Sequence, residues 1–126
     1  MEPISEERQR KVYEWWLKPK GHDYIDIIGF GRPTYRVWWL PENGLSREAP
    51  TLYVLDSSGN WQPNYQWFFT EAADKLATER VGIMLEDWPV GRNRRSRECS
   101  LAAHELEERF VAADPIAALA EYVEAK

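Results

Sequence analysis

Few side chains in this sequence could carry acid–base chemistry. The two histidines, His22 and His104, lie far apart in the chain, and each stands beside a single carboxylate, Asp23 or Glu105. A two-histidine acid–base site requires both imidazoles to converge on one substrate, and nothing in their spacing brings them together. We therefore predict two surface histidines.

The possible metal ligands are also scattered. Cys99 is the only cysteine, and it lies five residues before His104, a spacing that does not stack two side chains on one helical face. No H-x-x-x-H motif occurs. Glu86 and Asp87 follow an apolar run and could hold Mg²⁺ in a small nuclease, but adjacent acids in a loop are more commonly solvated charges. We predict no metal site and no cofactor.

Motifs of nucleophilic catalysis and of dinucleotide binding are missing from the sequence. Neither G-x-S-x-G nor S-x-x-K occurs. The segment Gly-Phe-Gly-Arg-Pro at 29–33 lacks the third glycine of a dinucleotide fingerprint, and Pro33 has no backbone N–H to offer a phosphate. The sequence therefore assembles no catalytic set, and we favour a function without catalysis.

A run of arginines is the sharpest charged feature of the sequence. The segment 91–97 is predicted to be a mobile loop ahead of a helix, and it could grip phosphate or an acidic protein surface. The alternative is a solvated loop that pairs with the protein's own excess of acid. The arginines are Arg92, Arg94, Arg95 and Arg97.

Tryptophan is unusually frequent in this sequence, which has seven tryptophans in 126 positions. In the strand predicted at 34–40, alternation places Trp39 on the purer apolar face and Trp38 on the mixed face beside Arg36. Trp and Arg together are typical of binding hot spots, so we predict Trp38 and Arg36 at a recognition surface. If helices cover this face too, both tryptophans belong to the core.

A second aromatic group suggests a pocket. Trp61, Tyr65, Trp67 and Phe69 share one face of a strand predicted at 61–69, and the first three are the predicted pocket residues. Aromatic faces stack nucleobases, and the arginine run could clamp a phosphate. This arrangement would suit a nucleotide or another small phosphorylated ligand.

Composition indicates one compact domain over residues 1–126. The net charge is −5, which opposes nucleic-acid binding at long range, although a local basic patch stays possible. A single cysteine excludes an intramolecular disulfide. The N-terminal residues do not resemble a signal peptide, and no apolar run is long enough to cross a membrane, so we expect a cytoplasmic protein.

The pattern of elements predicts an α+β fold with a mainly antiparallel sheet of about four to five strands. The core is predicted to contain Val37, Trp39, Ile83, Leu85, Leu106 and Phe110. Helical spacing also predicts two apolar stripes: Val12, Trp15 and Trp16 on the first helix, and Ile116, Leu119, Ala120 and Val123 on the last. The first half of the chain is expected to form a helix at 5–17 and strands at 24–30, 34–40, 51–55 and 61–69. A helix at 70–80, a central strand at 81–85 and a loop at 86–97 are expected to follow. The chain is then expected to end in two helices, one from 96 or 100 to 113 and one that begins at Asp114-Pro115.

Three functions remain open. The leading hypothesis is a small acidic protein-binding module that acts by occupying a partner, as inhibitors, immunity proteins, antitoxins and anti-defence proteins do. The alternative is a small-ligand or nucleotide-binding protein that uses the aromatic pocket and the arginine run. The third is a small nuclease. Another protein is therefore the favoured partner, and exposed aromatic side chains also make a homodimer possible.

Overall fold

The computed structural model describes residues 2–18, 23–29, 35–40, 47–91 and 94–126, with the backbone alone for 23–29, 35–40, 47, 88–91 and 94–96. These residues form a mixed, antiparallel α+β structure, which confirms the predicted class. The elements are α1 (Glu6–Leu17), β1 (Asp23–Gly29), β2 (Tyr35–Leu40), β3 (Arg47–Glu48), β4 (Tyr53–Leu55), β5 (Trp61–Pro63), α2 (Tyr65–Trp67), a π-helical turn (Phe68–Ala72), α3 (Ala73–Thr78), β6 (Val81–Gly91), β7 (Arg94–Ala103), β8 (Glu108–Ala112) and α4 (Pro115–Ala125).

The strands of the described residues form separate small sheets. Their orders are β1-β2-β3, β4-β5 and β6-β7-β8, and every pairing is antiparallel. The predicted sheet of four to five strands is therefore wrong in its strand count. Each pairing joins strands that are neighbours in the sequence, because short connections close with little loss of chain entropy.

The first helix follows its sequence signals. Ser5 caps it by accepting a hydrogen bond from Arg8 N at 3.3 Å, and two glutamates occupy the first turn, where the helix dipole favours them. Val12, Trp15 and Trp16 are buried as predicted. Burial of both rings of the Trp pair requires contacts on two sides of the helix.

The segment 61–69 is only partly a strand. β5 ends at Pro63, and the side chain of Asn64 accepts a hydrogen bond from Trp67 N at 3.1 Å, which begins a helix at Tyr65. Alternation of apolar residues predicted a strand, but the Asn64 cap and the packing of the next aromatic residues favour a helix. The mid-chain helix therefore begins at Tyr65 rather than at Thr70, and α2, the π-helical turn and α3 run on as one helical segment.

The predicted helix that ends at 113 is wrong. Its residues form β7 and β8, joined by a turn in which Glu107 has φ of +51°. Cys99, Leu101 and Ala103 are buried at a period of two. The same stretch also fits a helical period, and pairing with β6 decides between the two. One C-terminal helix, α4, remains of the two that were predicted.

The predicted loop at 86–97 is also wrong. β6 continues to Gly91 and β7 begins at Arg94, so the two strands form a long hairpin. Only 92–93 separate them, and these two lie outside the described residues. Because residues on both sides pair along the backbone, most of the arginine run belongs to a strand.

The predicted core is partly confirmed. Phe110 is buried and Ile83 is half-buried against the core, whereas Leu106 is 40% exposed in the turn and Leu85 is 52% exposed. A central strand was predicted here, but among the described strands β6 lies at the edge of its sheet. The side chains of the two remaining predicted core residues, Val37 and Trp39, lie outside the described set.

The last helix begins as its sequence predicts. Asp114 caps α4 by accepting a hydrogen bond from Ile116 N at 2.8 Å, and Pro115 occupies the first turn. Tyr53 also donates its hydroxyl proton to Asp114 and accepts a hydrogen bond from Ile4 N at 3.2 Å. The start of α4 is thereby joined to β4 and to the N-terminal segment.

Aromatic contacts join the helices into one core. Trp16 and Trp67 pack edge to face with their rings 5.4 Å apart, which joins α1 to α2. Tyr122 of α4 packs against Trp15 at 6.5 Å and against Phe110 at 5.9 Å. This packing fixes α4 between α1 and β8.

We expect Arg80→Gly to raise the free energy of unfolding by up to about 1 kcal/mol, because Arg80 adopts the left-handed conformation (φ +59°) between α3 and β6, where a Cβ is unfavourable. The measurement is urea unfolding. Arg80→Ala is the control, since it removes the same side chain but keeps the Cβ. Equal stabilities for the two variants would contradict the backbone argument.

Candidate binding surface

The candidate site lies where the β6–β7 hairpin extends beyond its sheet. β8 pairs with β7 only up to Ala112, which lies opposite Cys99. β6 and β7 continue together from Leu85 and Cys99 to Gly91 and Arg94. Among the described strands, the far half of the hairpin is therefore a two-stranded arm, without the third strand that supports its base.

A cavity of about 190 Å³ lies beneath the base of this arm. Three carboxylates and one guanidinium contribute to its wall, so negative charge predominates. Asp87 and Arg97 occupy opposite positions of the hairpin ladder. The lining residues are Tyr65, Leu85, Glu86, Asp87, Arg97, Glu98, Ala113 and Pro115.

Exposed apolar side chains border the cavity. The rings of Tyr65 and Phe69 are stacked with their centroids 6.1 Å apart, and Phe69 is 44% exposed. Leu85 shares the cavity wall with Tyr65, and its neighbour Met84 is also exposed. Tyr65 thus lies between Phe69, on which its ring stacks, and Leu85, with which it lines the cavity. We call Tyr65, Phe69 and Leu85 the apolar rim.

The backbone of β6 adds unpaired polar groups to this surface. Among the described strands, β6 pairs with β7 alone, so its other edge is open. An open edge carries backbone N–H and C=O groups that can pair with an added strand. Charges at Glu86 and Asp87 follow the apolar segment and oppose indiscriminate pairing.

The fold brings two of the predicted binding residues, Tyr65 and Arg97, to the same cavity. It places the other two aromatic residues elsewhere. Trp67 is 2% exposed and packs against Trp16, so its ring faces are covered, and Trp61 is half-buried against the core. The three aromatic side chains therefore do not line one pocket.

The remaining predicted residues are described only in part. Arg36 and Trp38 lie on β2, where Trp38 is opposite Asp26 on one side and Glu48 on the other. Arg94 and Arg95 lie on β7 at the far end of the hairpin, with Arg95 opposite Pro89. Their side chains, and Arg92 as a whole, lie outside the described set.

The sequence analysis placed Phe69 on the aromatic face of the predicted strand but not among the predicted binding residues, although a signal for its exposure was present. Phe68 and Phe69 are adjacent, and neighbouring side chains of a helix point about 100° apart. One core face therefore cannot bury both rings. Phe68 is fully buried and Phe69 is exposed. An adjacent aromatic pair therefore exposes one ring unless packing covers two sides of the helix, as it does for Trp15 and Trp16.

Other chemistry-bearing residues lie apart from the cavity. Cys99 is buried, and desolvation raises the pKa of its thiol to about 11. His104 lies in the turn after β7, and His22 is outside the described residues. Where side chains are described, no group of three or more His, Cys, Asp or Glu residues is arranged to hold a metal ion.

No helix in the described ranges is both long enough and apolar enough to span a membrane. Comparisons with protein-family models, with curated proteins and with solved structures find no match for this chain.

Proposed function

We propose that this protein is a non-catalytic binding module that acts by occupying a partner protein, and that the apolar rim, the cavity and the open edge of β6 form its binding surface. The observation that carries the proposal is the exposure of Phe69 and Leu85 beside a cavity. Large apolar side chains grouped around a pocket are typical of protein interfaces.

The size of the cavity favours a side chain over a free ligand. Pockets for small molecules usually measure about 300–1,000 Å³, and this cavity measures about 190 Å³. One large side chain of a partner is a suitable occupant. Interface hot spots are commonly single anchors that enter such pockets.

The charge of the cavity wall indicates which kind of partner side chain would enter the cavity. Glu86, Asp87 and Glu98 outnumber Arg97 in the wall, and the whole protein carries a net charge of −5. We propose an arginine or lysine of a basic partner as the anchor. The opposite net charges would also speed the encounter of the two proteins.

Leu85→Ala provides the first test, with Leu55→Ala as a matched control. Leu85 and Leu55 are 52% and 56% exposed, and Leu55 lies on β4, outside the cavity wall. The three proteins are used as baits, and each captured protein is identified and then purified for titration. We expect Leu85→Ala to weaken its binding at least about tenfold, as loss of a hot spot does, while Leu55→Ala does not.

The second test uses acetyl-arginine amide as a defined probe of the cavity. We expect its addition to shift the amide resonances of Tyr65, Leu85 and Arg97, whereas acetyl-glutamate amide leaves them unchanged.

Each test has an outcome that contradicts the proposal. Partner binding that is equally strong in the Leu85→Ala and Leu55→Ala variants would overturn the proposed surface. Shifts with the glutamate probe alone would overturn the proposed cationic anchor.

A further inference from the structure

A second and larger depression lies between α1, the end of α3 and the last turn of α4. Its volume is about 790 Å³, within the range of small-molecule sites. Trp15 and Val123 give it apolar walls, and the other lining residues are charged. We call it the lysine groove, and it is lined by Lys11, Glu14, Trp15, Lys18, Lys75, Glu79, Val123, Glu124 and Lys126.

The carboxylates of the lysine groove are all engaged in ion pairs. Glu14 pairs with Arg10 at 3.5 Å, and Glu124 pairs with Arg8 at 2.8 Å. Both arginines come from α1, outside the lining itself. These two carboxylates therefore neutralise the charge of the arginines and not the charge of the lysines that line the groove.

Within the described part of the chain, Glu79 is the carboxylate that pairs with lysines of the groove. Lys126 Nζ lies 2.8 Å from its Oε1 and Lys75 Nζ lies 3.3 Å from its Oε2. A single carboxylate thus faces two ammonium groups. Positive charge remains in excess at this point.

Two further lysines increase that excess. Lys11 and Lys18 are exposed, and within the described residues neither has a carboxylate at ion-pair distance. The result is a positive depression in a protein of net charge −5. Ammonium groups that gather without counter-charges repel one another, and a bound anion would relieve this repulsion.

The groove is held in place before any ligand arrives. Glu79 accepts hydrogen bonds from Trp15 Nε1 at 3.0 Å and from the Tyr122 hydroxyl at 2.6 Å. Lys75 Nζ lies 5.1 Å from the centroid of the Trp15 ring. The aromatic wall and two of the four lysines are therefore fixed relative to each other, which lowers the entropic cost of binding.

We propose that the lysine groove binds a small phosphorylated molecule, with its phosphate held by the lysines and its flat or apolar part against Trp15 and Val123. Ammonium groups bind phosphate as point charges, and aromatic walls favour a planar group. The volume leaves room for a nucleotide-sized ligand. This site is independent of the proposed protein-binding surface, because none of its lining residues contributes to the cavity beneath the hairpin.

The test is calorimetric titration with three probes: ATP, adenosine and inorganic phosphate. We expect saturable ATP binding that weakens as salt is raised, since the contacts are between exposed charges. Adenosine should bind at least about tenfold more weakly than ATP if the phosphates supply the main contacts. If phosphate alone binds as well as ATP, the apolar wall takes no part and the proposed ligand class is wrong.

Two charge-reversal variants locate the binding. We expect Lys18→Glu to weaken ATP binding at least about tenfold, and Arg109→Glu, an exposed cation on β8 outside the groove, to change it less than about twofold. Arg94→Ala with Arg95→Ala tests the far end of the hairpin. No saturable ATP binding, equal effects of the two reversals, or loss of binding only in the double arginine variant would each overturn the lysine groove as the site.

Discussion

Phe68→Ala is expected to lower the free energy of unfolding by about 3–5 kcal/mol, the usual cost of removing a buried aromatic ring and leaving a cavity. Phe68 is fully buried where the helical segment packs into the core. Its neighbour Phe69 is 44% exposed, and it contacts Phe68 edge to face at 5.2 Å. Phe69→Ala removes the same atoms but mostly from the surface, so we expect a loss of about 1 kcal/mol, chiefly from ring contacts.

Urea unfolding of both variants and of the parent protein measures the stabilities. Titration with the partner captured above measures the binding of the same three proteins. Phe69→Ala should weaken partner binding while the protein stays folded, because Phe69 belongs to the apolar rim. Equal destabilisation by the two substitutions would contradict the burial of Phe68 and the exposure of Phe69. A stable Phe69→Ala variant with unchanged partner affinity would remove Phe69 from the proposed surface.

Glu79→Ala is expected to lower the free energy of unfolding at neutral pH by about 2–4 kcal/mol. The side chain is 19% exposed, and its loss leaves the Trp15 N–H and the Tyr122 hydroxyl without their carboxylate acceptor. Each partly buried donor left without an acceptor costs about 1–3 kcal/mol. Glu121→Ala on the exposed face of α4 is the control, and we expect a change within about 0.5 kcal/mol.

The pH dependence provides an independent check on Glu79. Burial by itself would raise the pKa of this carboxyl, but hydrogen bonds from Lys126, Tyr122 and Trp15 outweigh burial and lower the pKa from 4.5 to about 2. A lowered folded-state pKa stabilises the fold above the unfolded value, and this contribution is lost as pH falls from 4.5 towards 2.

Glu79→Gln isolates that charge-dependent contribution. After allowance for solvent screening, we expect the parent protein to exceed this variant by about 1–2 kcal/mol at pH 7, and the difference to vanish near pH 2. Urea unfolding at several pH values measures it. A difference that is independent of pH would show that the carboxylate's charge contributes nothing and that shape alone accounts for the effect of Glu79→Ala.

Local signals were sufficient for the two long helices. Ser5 and Asp114 cap α1 and α4 as their sequences predict, because a capping side chain needs only backbone groups two or three residues away. Helical spacing also identified their buried faces, including Val12 and Leu119. The α+β class and the antiparallel pairing follow from the grouping of the strand-like segments into a run between helices, rather than a regular alternation of strand and helix.

The segment 96–113 could not be assigned in the same way. Its small and apolar residues fit a helical period, yet Cys99, Leu101 and Ala103 also fit a period of two. The choice depends on β6, which supplies hydrogen-bond partners along its whole length. The information that decides the segment therefore lies in another part of the chain.

The sequence by itself determined the class, the capped ends of α1 and α4 and the burial of Trp15 and Trp16, because caps and apolar periodicity act within a few residues. Only the tertiary structure decided that β6 lies at an edge among the described strands, that Tyr65 and Arg97 meet at one cavity, and that four lysines from α1, α3 and the ends of α1 and α4 line one groove with Trp15. These features join residues that are distant in the chain, and their positions depend on how the elements pack, which no local pattern encodes.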